Sequence, residues 1–113
     1  MELAYDRPGH ASGNLNGVSF EGFCLPMPPS KLIFITTVGG FIGCGFFDMH
    51  TFDKLGIPAV RITGVSTLEE LLAGKISLAT VAAENLGVRV EMTGYEALSR
   101  FCSLHSHDQP KII

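Results

Sequence analysis

Gly39-Gly40-Phe41-Ile42-Gly43-Cys44-Gly45-Phe46-Phe47-Asp48 gathers glycines, phenylalanines, a thiol and a carboxylate into one short stretch. Upstream of it the sequence reads as extended chain, and downstream mostly as short helices. Gly39-Gly40 is a two-residue hairpin signal. The run before it, Lys31 to Val38, is β-branched and aromatic, and its unbroken apolar character predicts a strand buried on both faces. Phe41 to Phe47 reads as the returning strand. Alternation then puts Phe41, Gly43, Gly45 and Phe47 on one face and Ile42, Cys44 and Phe46 on the other. Gly43 and Gly45 leave a bare strip. An interior strand glycine costs up to about 1 kcal/mol, so something should approach that strip closely. A packed helix or a bulky ring would do so, and so would a ligand or a partner subunit.

Working outward, Val18 to Leu25 alternates imperfectly around Gly22 and reads as a strand with a bulge. Pro26, Pro28 and Pro29 predict a stiff connection without regular structure. Residues 6–17 have turn and loop composition, and Glu2 to Tyr5 before them read as a short edge strand. On the other side, Asp48 fits an N-cap for a helix through Leu55 that Gly56 stops. Ala59 to Gly64 reads as a strand of the same sheet. Ser66 with Glu69, or Thr67 with Glu70, makes a capping box for a helix that ends at Gly74. Ile76 to Leu86 carries a helical apolar stripe, Val88 to Met92 is extended, and Thr93 with Glu96 caps a last helix through Cys102. From Ser103 the tail is polar.

The whole therefore reads as one α+β domain at 18–103, with a flexible or edge-strand segment at 1–17 and a polar tail at 104–113. The chain has 113 residues, of which 46% are apolar and only 17% charged. So little polar material to cover the outside favours a homo-oligomer. The net charge is −3 and the Lys and Arg residues are scattered, which disfavours nucleic-acid binding. No apolar run is long enough to span a membrane. Cys24, Cys44 and Cys102 form no CxxC and read as reduced thiols in a cytoplasmic protein.

Catalytic signatures such as GxGxxG, the P-loop, GxSxG and HExxH are absent, and no cofactor is indicated. Cys44 is the first candidate for chemistry. A helix beginning near Asp48 and a cation at Arg61 would lower its pKa, and His50 would be the nearby base. Against this, cysteine packs readily as a small buried hydrophobe. Asp48 and Cys44 are thus the candidate catalytic residues, and Gly43, Gly45, Arg61 and Glu84 the candidate ligand-binding ones. Arg61 in an apolar strand calls for a partner. That partner is either Asp48 or Glu84 in a structural ion pair, or the carboxylate or phosphate of a ligand. The segment Cys102 to Asp108 has metal-ligand residue types, but a frayed tail does not define a site, and no metal is expected. The expected function is ligand or partner binding near Gly43-Cys44-Gly45 and Asp48. The alternative is a small enzyme using Cys44 or an Asp48/Arg61/Glu84 acid–base site at a subunit interface.

Several blocks, taken together, carry a resemblance. They are Gly40 to Asp48, Ala59 to Val65, Ser66 to Leu72, Ala82 to Val88, and Met92 to Leu98. In this order and spacing they resemble the YunC-like family, a bacterial and archaeal domain family of unknown function. The resemblance implies a mixed, curved sheet wrapped on short helices and a tetramer assembled through the N-terminal β region. It implies no activity, substrate or catalytic residue. Pro8 to Gly17 and the tail depart from the pattern.

Overall fold

Residues 3–103 are described by a computed structural model. One open sheet holds seven strands in chain order: β1 (Ala4–Arg7), β2 (His10–Leu15), β3 (Val18–Met27), β4 (Ser30–Thr37), β5 (Gly40–Gly43), β6 (Ala59–Arg61) and β7 (Leu78–Ala79). Neighbours pair antiparallel except β5 and β6, which are parallel. A parallel pair needs a crossover, and helix α1 (Met49–Leu55) provides it. Helices α2 (Leu68–Ala73), α3 (Val81–Asn85) and α4 (Gly94–Phe101) complete the fold. The expected α+β class, a mixed sheet packed on short helices, is what the chain adopts.

Two cross-strand rows define the faces of the sheet. The inner row is Tyr5, Ala11, Gly22, Ile35, Ile42, Val60 and Ala79. The outer row is Arg7, His10, Phe23, Phe34, Gly43, Arg61 and Leu78. Helices α2 and α4 cover the inner face, where Phe20, Ile33, Ile35, Ile42, Leu68, Leu71, Leu98 and Phe101 are buried. Each such side chain contributes about 1.5–3 kcal/mol by leaving water. Helix α1 lies against the outer face, where Phe52 stacks on Phe41.

The caps expected from sequence are present. Asp48, Thr67 and Thr93 are N-caps, Thr93 and Glu96 form a reciprocal box, and left-handed Gly56 ends α1. The Glu70 carboxylate also reaches back to the Ser66 N–H at 2.7 Å.

Other expectations give way. Residues 6–17 are not loop, because β2 pairs along its whole length with β3. Asn16 and Gly17, with φ of 56° and 81°, make the tight turn between them. Gly13 in β2 is bare because the Phe20 ring lies over it, where a side chain would collide. Gly22 makes no bulge, since its strand keeps register on both sides. It is bare because Leu68 of α2 rests on it, with both methyls 3.0 Å from where a Cβ would stand.

Pro26 is a strand residue paired with Lys31, and Pro28-Pro29, joined by a cis peptide, is confined to the turn. β4 is buried on the inner face only, while Phe34 and Thr36 on the outer face are partly exposed. The hairpin turn is Val38-Gly39, and Gly40 already belongs to β5. β5 ends at Gly43 rather than Phe47, because Gly45 and Phe46 turn the chain toward α1. β6 likewise ends at Arg61.

The helix expected over 76–86 is shorter. Leu78 and Ala79 pair with β6, and Thr80 then caps α3. The segment 88–92 is turn rather than strand, with Glu91 at φ 82°. Of the metal-type residues expected over Cys102 to Asp108, Cys102 is buried beside Thr37, and those from residue 104 onward lie outside the described residues.

Candidate functional site

Gly43 occupies the centre of the outer row, between Phe34 and Arg61. Its bare strip is filled by the chain's own rings: a Cβ there would stand 2.6 Å from the Phe47 ring and 2.7 Å from that of Phe41. Gly45 is beyond the strand, and the methyl of Thr63 would lie 3.3 Å from its Cβ. The expectation that Gly43 and Gly45 share one continuous strip therefore fails after Gly43.

The rings extend across the sheet. His10, Phe23 and Phe34 follow one another at centroid spacings of 4.9 Å, and Phe34 meets Phe41 at 5.7 Å. Phe47 stands edge-on to both Phe34 and Phe41. All five phenylalanines, Phe23, Phe34, Phe41, Phe47 and Phe52, are only partly buried. Phe46 beside them is 58% exposed. Phe23 and Phe34 share this face because they are register partners in β3 and β4. Their stacking depended on register, which the sequence does not display.

Cys44 points the other way, into the core, with 4% of its surface exposed. Its Sγ accepts the Ile33 N–H at 3.4 Å. Asp48 is on the surface at the start of α1. Its carboxylate accepts the Thr51 hydroxyl and the His50 N–H, each at 3.0 Å. These bonds, that of Thr51 foremost, hold the carboxyl below its ordinary 3.8. A carboxyl depressed on folding contributes stability that is complete above the unfolded value and lost as pH falls through the folded one. Asp48→Asn should therefore differ from the parent in Tm at neutral pH. The difference should shrink on acidification below about 3.8, which melts across the pH range would follow.

Arg61 lies on the outer face beside Gly43. Its Nε is buried and has no hydrogen-bond partner among the described residues. The ion pair expected with Asp48 or Glu84 is not formed: the ion pairs of the described residues join Asp6 to Arg7 and His10, and His10 to Glu21. Glu84 is exposed on α3, where its backbone carbonyl accepts from Arg89 at 2.7 Å. The fold thus separates Cys44 on the inner face from Gly43 and Arg61 on the outer face, and leaves Asp48 and Glu84 on the surface. Among the described residues, no group of three or more His, Cys, Asp or Glu is placed to hold a metal ion. No described helix is long and apolar enough to cross a membrane.

Two clefts are lined by residues other than these. One, at the hairpin end of the outer face, is bounded by Thr36, Val38, Phe41, Phe52 and Pro58. The other, on the inner face, is bounded by Tyr5, Cys24, Lys31 and the start of α2.

The profile described as Domain of unknown function (DUF1805) matches residues 43–101, from the last residue of β5 to the end of α4. The chain belongs to the DUF1805 family. It is 35% identical over 88 residues to the uncharacterised protein YunC of Bacillus subtilis (strain 168), an alignment covering 74% of this chain and 87% of YunC. The YunC-like resemblance read from sequence is thereby established. The crystal structure of TA1206, a protein of unknown function from Thermoplasma acidophilum, superimposes with a TM-score of 0.76 at 26% identity. That superposition covers 87% of this chain and 99% of TA1206. The matched DUF1805 segment contains Gly43, Cys44, Gly45, Asp48, Arg61 and Glu84. Tyr5, Cys24 and Lys31 of the inner cleft precede it.

Proposed function

We propose that this DUF1805 protein is a non-catalytic homo-oligomer whose outer sheet face binds a second copy of the chain. The observation that carries the reading is the buried, unpartnered Nε of Arg61. A guanidinium nitrogen out of water and without a partner is costly, and a carboxylate from outside the chain relieves it. The outer row is polarised in a way that supplies one. Glu21 stands beside His10 at one end, where Asp6 is shared between Arg7 and His10, and Arg61 stands near the other. A two-fold axis through the middle of the face exchanges these ends. It brings Arg61 of each copy toward the acidic end of the other and stacks the partly exposed phenylalanines between them.

A tetramer built through the N-terminal β region would draw on the part of this surface that β2, β3 and β4 form, with His10, Phe23 and Phe34. A reducing compartment such as the cytoplasm is supported by Cys24, Cys44 and Cys102, all of them free thiols. Sedimentation equilibrium tests the proposal. Arg61→Glu should lower the assembly state, and Arg61→Glu combined with Glu21→Arg should restore it. An Arg61→Glu protein that is folded and fully assembled overturns the interface. If that protein has also lost affinity for inorganic phosphate that the parent possesses, Arg61 serves a small anionic ligand at the junction instead.

A further inference from the structure

Leu68 of α2 covers the inner face as far as Gly22. Past that point β3 and β4 carry Cys24, Pro26 and Lys31 on the same face. A cleft of about 380 Å³ opens there, walled by Tyr5, Cys24, Pro26, Lys31, Ser66 and Glu69. That size suits a small molecule. We propose that this cleft binds a small, largely apolar molecule bearing one anionic group.

The walls are mostly apolar: the Tyr5 ring, the Cys24 thiol, the Pro26 ring and the flank of Leu68. The charges that line it are Lys31 and Glu69. Glu69 is already engaged, since its Oε2 accepts the Tyr5 hydroxyl at 2.8 Å. Lys31 makes no ion pair among the described residues. Glu69 keeps its negative charge but forms no ion pair with Lys31, so the lysine ammonium is the group that an anion from outside pairs with. Thr67, also in the wall, has its hydroxyl occupied in capping the Glu70 N–H at 3.0 Å.

The cleft is held in shape from both sides. The Tyr5–Glu69 bond spans 64 residues and ties edge strand β1, exposed along its length, to α2. Burial, and then this bond, push the Tyr5 hydroxyl up to about 12, so it stays a donor throughout the physiological range. On the other side Gly9, at φ 88°, lies against β3, where a Cβ would stand 2.8 Å from the Cys24 carbonyl oxygen. The cleft is on the opposite face from Arg61, so it stands or falls apart from the oligomer interface.

Cys24 reports occupancy. It is partly exposed in the cleft wall, while Cys44 and Cys102 are buried and act as internal controls. The probe is anilinonaphthalene sulfonate, an apolar aromatic anion. Alkylation of Cys24 by iodoacetamide is followed by mass spectrometry with and without it. Saturating probe should slow Cys24 alkylation about tenfold, and Lys31→Glu should weaken that protection about tenfold in probe concentration. Lys31→Gln gives the same test if the reversed charge impairs folding. Arg61→Glu should leave the protection unchanged. An unchanged alkylation rate with probe present, or protection that survives both Lys31 variants, overturns the proposal.

Discussion

Gly39→Ala is expected to cost about 3 kcal/mol or more and to lower Tm by about 10 °C, read by thermal denaturation followed by circular dichroism. Gly39 is the second turn residue between β4 and β5 and has an ordinary φ, so its role is not conformational freedom. The backbone carbonyl of Phe101, at the end of α4, lies where its Cβ would go. A carbonyl oxygen at the end of a helix cannot rotate aside as a side chain does, so the turn or the helix must shift. Gly40 beside it faces the Phe101 ring, 2.5 Å from where a Cβ would stand. Gly45→Ala is the contrasting variant. The nearest atom to its Cβ is a Thr63 methyl at 3.3 Å, and Tm should fall by only a few degrees. Equal losses at Gly39 and Gly45 would contradict this account of the glycines.

Thr80→Val, nearly identical in shape, should cost about 2–4 kcal/mol. Thr80 is fully buried, and its hydroxyl is fully used. It accepts the Ala59 N–H at 2.9 Å and the Ala83 N–H at 3.3 Å, and donates to the Ile57 carbonyl at 2.9 Å. One oxygen thus starts α3, closes the upper end of β6 and ties down the segment leaving α1. Valine leaves two donors and an acceptor without partners in a buried place. Thr80→Ser keeps the hydroxyl and should retain most of the stability. Urea denaturation of both variants separates the lost hydrogen bonds from the lost methyl. A valine variant as stable as the serine one would sink the argument.

The caps and the β4–β5 hairpin were legible because their chemistry is local. Asp48, Thr67 and Thr93 each bond an N–H two or three residues away. Asn16-Gly17 was equally local, a turn signal hidden in a segment whose small residues read as loop. The helix expected over 76–86 failed for the opposite reason. Its apolar stripe was real, but the open edge of β6 claimed Leu78 and Ala79, and strand partners as distant in the chain as Arg61 and Val60 leave no periodic trace. Candidate residues were legible as types and illegible as a group. Cys44 and Gly43 are adjacent in sequence, and in a pleated strand adjacency places side chains on opposite faces. Tyr5, Cys24, Lys31 and Glu69 come from four separate segments, and only the fold assembles them.

The strand order equals the chain order. During synthesis each of β2 to β5 therefore meets its neighbour as soon as it leaves the ribosome, and the meander zips up vectorially. The helices that cover its inner face, α2 and α4, are made after these strands, and α4 comes last. Until Phe101 reaches Gly39 and Gly40, the nascent sheet presents Phe20, Ile33, Ile35 and Ile42 to its surroundings. The oily half-product lasts as long as translation from the end of β5 to the end of α4 takes. Slow codons in that stretch, or a truncation before α4, would turn an orderly zipper into a client for chaperones.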